Sequence, residues 1–411
     1  MATPDDAAPS KPQAERAPTR RYQARRDAIV RFAVEEMNRK GVRGMTLGEV
    51  AARLDLVPTG VIYYFRNKEE LAAAAFLKGI GQFEALIAAA EGPDDPARRL
   101  SAFVRAYFDY AGGVARGEAD RIPVFNDVRA LNCEPVNLAY VEMFRRLRGL
   151  LGELPRTHRN ARTHLLLSQM FWIPAWLRQA ELSDYPRTAE RMSDILVNGL
   201  LAPGVAWPKA RAAAPSLEGE PDSSSELFLR AATQLINDEG YHGASVERIS
   251  ARLNVSKGAF YHHNETKDDL VVACFERTFD LMWRAIRTAE AASGSGLEVL
   301  ATVASTLIGH QMGGGGPLLR TSALTAVPEG IRAGLMEKFG QLSYRFASMI
   351  CDGIADGSLR PVDVNIAAQM LTAAINAAAE LHFWASDLTP ETAGGGYVRP
   401  VFEGLVSPPA A

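Results

Sequence analysis

One stretch of this sequence occurs twice, and that constrains the fold more than anything else in it. Residues 41–71, GVRGMTLGEVAARLDLVPTGVIYYFRNKEEL, return at a constant offset of 199 as residues 240–270, GYHGASVERISARLNVSKGAFYHHNETKDDL. Gly41 aligns with Gly240, Gly44 with Gly243, Thr46 with Ser245 and Val50 with Ile249. Arg53-Leu54 aligns with Arg252-Leu253, Lys68 with Lys267 and Leu71 with Leu270, all without a gap. So many matches in one register are not chance, and an internal repeat dictates the architecture. The period is too long for a solenoid unit and suits a whole protomer, so the chain reads as two protomers fused head to tail.

Each copy reads as a helix-turn-helix followed by a third helix. Thr46 is a good N-cap and Glu49 stands three residues on, the spacing of a capping box. Leu47, Val50, Ala51 and Leu54 recur at helical spacing and give that short helix one buried face. Asp55-Leu56 makes the turn, and Pro58 suits the first turn of the next helix, where its missing N–H costs nothing. That helix spans about 58–64; Asn67 then caps a further helix with Lys68 in its first turn.

This run resembles the DNA-binding domain of the TetR family of bacterial regulators. The resemblance rests on G-x-x-x-x-T-x-x-x-[VI]-A, on the Tyr-Tyr-Phe ending of the second helix and on the following Lys-Glu-Glu-Leu. It implies a recognition helix directed at the DNA major groove. Thr46, Thr59, Tyr63, Tyr64 and Lys68 fall where the family's DNA contacts lie, and Pro58 and Gly60 belong to the same helix. Thr46 and Lys68 would touch phosphates, while Thr59, Gly60 and Tyr63 would face the groove. The bland alternative is that Tyr63, Tyr64 and Phe65 simply form the core of a three-helix domain; it is preferred for Phe65 and not for Tyr63. The second copy places Ser245, Ser256, Lys257, Gly258, Tyr261, His262 and Lys267 at the matching positions. It departs from the family at Asn264, where members carry a core Phe, as the first copy does at Ile62, where many carry Tyr.

Charge distinguishes the copies. The whole chain has a net charge of −3, but residues 16–71 hold 12 Lys/Arg against 7 Asp/Glu, a balance of +5. The matched window 215–270 holds 5 against 10, a balance of −5. Arg20, Arg21, Arg25 and Arg26 open the excess, just ahead of and within the first helix. Neutralising phosphates supplies much of the affinity for DNA, so the first copy is expected to dominate binding.

Nearly half of the 411 residues are apolar, Ala and Leu dominate, and strand-type runs are nearly absent, so the fold class is all-α. The expected organisation is a disordered tail over 1–18, a first DNA-binding domain over 19–71 and a first regulatory domain over 72–205. A linker over 206–224 follows, then a second DNA-binding domain over 225–270 and a second regulatory domain over 271–407. The linker is rich in prolines and small residues, and extended it could span about 60 Å at ~3.3 Å per residue. Helices are expected over 25–40, 68–90, 96–111, 123–131, 135–151, 160–181 and 186–201 in the first unit. In the second they are expected over 225–239, 245–253, 256–262, 267–292, 328–353, 362–384 and 390–405.

The chemistry of other classes is missing. Cys133, Cys274 and Cys351 are isolated and odd in number, which suits a reducing cytoplasm and argues against a disulfide framework. No apolar run approaches the ~18 residues of a membrane span, and the polar, Pro-rich start offers no signal peptide. His262-His263 does not make a metal site, because adjacent helical residues diverge by ~100° and no third ligand is in view. Gly313 to Gly316 is not followed by Lys-Ser/Thr, so it is no phosphate loop, and nothing pairs a nucleophile with a base. No cofactor and no catalytic residue are expected.

The resemblance also implies a small-molecule pocket in the larger domain, whose occupant swings the DNA-binding domains apart. Tyr107, Phe108, Phe125, Met143, Phe144, Met170, Phe171, Trp172 and Trp176 are the candidate lining in the first unit. Such stripes are more often ordinary core, but few charges fall within them, which suits a small hydrophobic effector. The expectation is a cytoplasmic regulator, a repressor on a double-stranded DNA operator, with the two units paired inside one chain as a pseudo-dimer. The alternatives are a homodimer of fused chains, a DNA-binding module without ligand control whose second headpiece is structural, and, more distantly, an enzyme.

Overall fold

The computed structural model describes residues 19–125, 128, 131–208, 217, 224–253, 266–292, 294–313, 315–320, 323–324 and 327–408. Their regular secondary structure is helical, apart from one isolated antiparallel bridge between Leu201 and Leu359. The first unit comprises α1 (Arg20–Gly44), α2 (Leu47–Ala52), α3 (Pro58–Ile62), α4 (Lys68–Ala88), α5 (Pro96–Ala115), α6 (Glu134–Gly149), α7 (Arg156–Trp176) and α8 (Tyr185–Asn198). The second comprises α9 (Ser224–Gly243), α10 (Val246–Leu253), α11 (Lys267–Ala291), α12 (Gly296–Met312), α13 (Glu329–Ala355), α14 (Val364–Ala377), α15 (Leu381–Trp384) and α16 (Arg399–Glu403). The fold is all-α, two tandem units of one plan.

Local chemistry sets the boundaries. The side chains of Thr19, Thr46, Asn67 and Asp95 accept backbone N–H groups at the starts of α1, α2, α4 and α5. Thr266 and Ser295 close full capping boxes with Asp269 and Glu298. Gly41 and Gly240, equivalent in the repeat, both take φ 73° and kink α1 and α9 at the same place. Only glycine adopts that left-handed conformation without strain.

Three expected elements differ. Residues 123–131 form no α-helix among those described. Their lead-in is pinned by Asn38 of α1, which donates to the Ile122 carbonyl (3.0 Å) and accepts from the Val124 N–H (2.8 Å). The Tyr110 hydroxyl accepts from the Ile122 N–H (2.8 Å), and Pro123 rests on Gly79, where a Cβ would come to 2.3 Å from it. Tertiary hydrogen bonds here override local propensity. Residues 297–312, unassigned from sequence, form α12, which Ser295 starts. The expected helix over 390–405 is interrupted: Gly394–Val398 is a π-helical turn before the short α16. Pro400 has no N–H to return to residue 396, and three successive glycines let the backbone widen.

Helix α4, the one described helix long and apolar enough to cross a membrane, turns Leu71, Phe76, Phe83 and Ile87 into the core. The two units meet along α7 and α8 on one side and α14, α15 and the π-helical turn on the other. Trp172 donates to Gln369 (2.9 Å), Gln169 to the Met370 carbonyl (3.1 Å), and His164 Nδ1 lies 3.0 Å from the Tyr397 hydroxyl. Arg162, 2% exposed, spends its guanidinium on the Leu405 and Ser407 carbonyls. At the ends of α8 and α16 the main chains exchange bonds, Leu200 N–H to the Phe402 carbonyl and Leu405 N–H to the Leu196 carbonyl, each 2.8 Å. The N-terminal helices of the units also touch, α1 against α9.

Candidate nucleic-acid interface

Helices α1, α2 and α3 enclose a small core of Ile29, Ala33, Val50, Ala51, Val61 and Phe65, all fully or almost fully buried. Phe65 is thus core, as the bland alternative has it. Burying such a ring is worth ~1.5–3 kcal/mol and fixes the roll of α3. The opposite face of α3 carries what the core does not use. Pro58, Thr59 and Tyr63 are exposed, Tyr63 at 73%, and Gly60 and Tyr64 are partly so. Tyr63 and Tyr64 stand edge to face with centroids 5.1 Å apart, and Tyr22 of α1 leans on both. This aromatic trio ties the end of α3 to the start of α1.

Cations surround that face. Arg20, Arg21 and Arg25 are exposed on the first turns of α1 and form no ion pair among the described residues. Arg26 differs: its guanidinium lies 4.8 Å over the Phe65 ring, so it is partly spent on the core. Thr46 is exposed, capping α2 and donating to Glu49 (3.0 Å). The Lys40 ammonium beside Glu49 holds that carboxyl below its usual range against the cost of burial, with Thr46 adding to the effect. Lys68 reaches back to the Arg43 carbonyl (3.1 Å), joining the start of α4 to the end of α1.

In the second headpiece, Ser256, Lys257, Gly258, Tyr261, His262 and the departure at Asn264 lie outside the described residues. Ser245 accepts from the Arg248 N–H (3.3 Å). Arg248 is held by Glu239, and Arg252 lies 3.8 Å from Asp238. Lys267, the counterpart of Lys68, lies 4.2 Å over the Tyr241 ring, and burial holds its pKa below the usual lysine range. These three cations are engaged, as Arg53 (2.6 Å from Glu35) and Lys68 are in the first headpiece, whose Arg20, Arg21 and Arg25 face solvent.

The candidate effector residues fall into separate groups. Tyr107, Phe125 and Phe171 gather with Phe103 around Phe83 at centroid distances of 5.7 to 6.3 Å. Burial pushes the Tyr107 hydroxyl pKa far up. Phe108 sits with Trp176 and Tyr185 instead. Phe144 stacks on Trp384 of the second unit at 3.9 Å, and Trp172 bonds Gln369 there, so both belong to the junction between units. Met143 and Met170 are fully buried in the same core. These rings pack on one another. Two clefts lie elsewhere, about 250 Å³ beside Ser101, Arg105 and Asp194 and about 440 Å³ beside Arg26, Ala73 and Leu77.

Sequence reading missed Asn38 and its equivalent Asn237. Each clamps a loop of its own larger domain: Asn237 donates to the Leu318 carbonyl (2.8 Å) and accepts from the Arg320 N–H (3.0 Å), as Asn38 does with Ile122 and Val124. The signal was present, since the two asparagines align at the offset of 199.

The family model for bacterial regulatory proteins of the tetR family matches twice, at residues 29–75 and 228–274, again 199 apart. The chain thus carries two tetR-family domains, one in each unit. Its plan is two tandem TetR-like units, each opening on a helix-turn-helix segment. The transposon Tn10 TetC protein of Escherichia coli is 36% identical over 55 residues, 13% of this chain and 28% of that one. The HTH-type transcriptional repressor DhaR of Mycobacterium sp. (strain GP1) is 30% identical over 131 residues, 31% of this chain and 66% of that one. The chain therefore spans less than two thirds of the length of either relative. A TetR-family regulatory protein from Rhodococcus RHA1 shares 20% identity, with 46% of this chain and 100% of that chain covered and a TM-score of 0.37.

Proposed function

We propose that this chain is a cytoplasmic repressor of the TetR family that occupies an operator through two non-identical headpieces paired intramolecularly as a pseudo-dimer, the first headpiece supplying most of the affinity. The observation that carries this reading is the contrast between headpieces. Exposed Pro58, Thr59 and Tyr63 sit beside solvent-facing Arg20, Arg21 and Arg25 in the first, where the second carries Gly219, Glu220 and Ser224 in sequence. Thr46 and Lys68 would hold phosphates at helix N-termini. Bonds between α7–α8 and α14–α16 support the intramolecular pairing. Footprinting on genomic fragments tests the reading, with Lys68→Ala expected to weaken binding severalfold more than Lys267→Ala. Equal losses would show equivalent headpieces.

In this reading a small hydrophobic effector enters the first larger domain and lowers operator affinity, and DNA must lower effector affinity by the same factor. The ring-on-ring packing around Phe83 favours a second reading, a DNA-binding module without ligand control. Titration with fatty acids, acyl thioesters, steroids and aromatics, read by Trp172 and Trp176 fluorescence and by DNA binding, separates the two. No response in either signal selects the second.

A further inference from the structure

The contact between α1 and α9 carries an inversion of charge that the repeat makes visible. Lys40 aligns with Glu239 and Glu49 with Arg248. Both headpieces keep an ion pair between their first two helices, Lys40–Glu49 in one and Arg248–Glu239 in the other, with opposite polarity. The inversion leaves each headpiece internally tied and changes only the sign of the charge that the first helix shows its neighbour. Across the contact Arg43 donates to Glu239 at 2.6 Å, and the Glu239 carboxylate is largely buried. Close approach is permitted by another matched pair: a Cβ on Gly44 would lie 2.7 Å from the His242 ring, and one on Gly243 would lie 2.7 Å from the Arg43 side chain. Arg43 and His242 are themselves equivalents, so the contact is a two-fold one between unlike partners.

We propose that this is a charge-coded pairing surface, on which α1 accepts α9 of the same chain and rejects a second copy of itself. In an α1–α1 contact of the same geometry Arg43 would meet Lys40 instead of Glu239, and like charges brought together at an interface suppress the wrong partner. An α9–α9 contact would set His242 against Glu239, which is not repulsive, so the discrimination resides in α1. The two positions can invert only together, because inverting position 239 alone would break the tie between α9 and α10. The proposal rests on the intramolecular pairing set out above.

Spin labels at Ala52→Cys and Ala251→Cys, equivalent and exposed, in the full chain carrying Cys133→Ser and Cys351→Ser, report the separation of the headpieces by pulsed dipolar spectroscopy. A narrow distance distribution is expected, unchanged on dilution with unlabelled chain. Arg43→Glu sets a carboxylate against Glu239 and should cut the narrow population severalfold. Glu239→Lys with Arg248→Glu rebuilds the second headpiece's ion pair with the polarity of the first, and should do the same by setting Arg43 against Lys. Combining all three changes should restore the narrow distribution. A narrow distribution in Arg43→Glu, a broad one in the triple variant or a broad one in the parent overturns the proposal. A distance that disappears on dilution would instead show pairing between chains, which defeats the pseudo-dimer while the charge comparison still reads out.

Discussion

A methyl group added at Gly199 would lie 2.1 Å from the Phe402 carbonyl oxygen, and one at Gly404 would lie 2.1 Å from the Val197 carbonyl oxygen. Both glycines have positive φ, 69° and 96°, and each ends the last helix of its unit. Gly204, with φ 79° and nothing within 4 Å, isolates the conformational part of the effect. Gly204→Ala should cost the left-handed strain alone, ~1–2 kcal/mol. Gly199→Ala should cost a further ~1–3 kcal/mol for overpacking against the other unit's backbone. Urea unfolding checks this, and equal losses would mean that the helix ends do not meet. The sequence shows Gly-Leu ending both units alike; the reason, a carbonyl in the opposite unit, is not local and could not be read there. His310 makes a second prediction at this scale. Burial, then the charges of Arg277, Arg230 and Arg284, pull its pKa from 6.5 to about 4, and its Nε2 has no hydrogen-bond partner among the described residues. Between those values the unfolded chain binds a proton that the native ring refuses, so stability falls on acidification from pH 6.5 toward 4. The loss is up to about 3 kcal/mol. His310→Gln should flatten the dependence of the melting temperature on pH across that window, and an unchanged slope would place the effect elsewhere.

At the scale of elements, the headpiece was the legible part. Thr46, Pro58 and Asn67 act locally, so caps and turn could be placed from spacing alone. Residues 123–131 and the π-helical turn were not legible, because Asn38, Tyr110 and Gly79 act on the first across the fold and Pro400 disrupts the second only once a helix has formed. The asparagine clamps yield a test. Asn237 is buried and Asn38 half-buried, and each makes two hydrogen bonds to its loop. At ~1 kcal/mol per bond plus the cost of orphaned backbone groups, Asn237→Ala should lose roughly 2–3 kcal/mol and Asn38→Ala somewhat less. Amide exchange should rise first at Val124 in one variant and at Arg320 in the other, the two N–H groups that donate to the asparagines. Protection unchanged at those amides would mean that the loops are held by other contacts. The arginine arm belongs to the same scale. Because Arg26 is partly spent on Phe65, replacing Arg20, Arg21 and Arg25 with Ala should flatten the salt dependence of DNA binding by about 0.9 for each phosphate left unneutralised. Adding Arg26→Ala should change the slope little and the stability more, the reverse of what a fourth phosphate-binding arginine would do.

For the whole molecule, the repeat fixes what the pairing must do to the operator. Two identical headpieces of a homodimer read a palindrome with half-sites about one helical turn apart, ~34–36 Å. Here α2 and α3 present Leu47, Val57-Pro58 and Thr59, where the second unit carries Val246, Ser256-Lys257 and Gly258. Unlike headpieces in one chain should therefore prefer an asymmetric site, protected more strongly under the arginine-bearing half. Tethering favours this arrangement, since a short flexible linker holds the second unit at an effective concentration in the ~mM range. Chains at micromolar concentration must pair with themselves unless the interchain contact is far tighter than the one within the chain. Light scattering should give a mass close to 44.6 kDa for the free chain, and the same protein should retard its operator as one chain per site. A species of about twice that mass at micromolar concentration, or a palindromic footprint with equal protection of both halves, would require α7–α8 to pair between chains. Dilution then distinguishes the cases, because only intrachain pairing survives it, whereas Arg43→Glu weakens pairing of unlike headpieces wherever they come from.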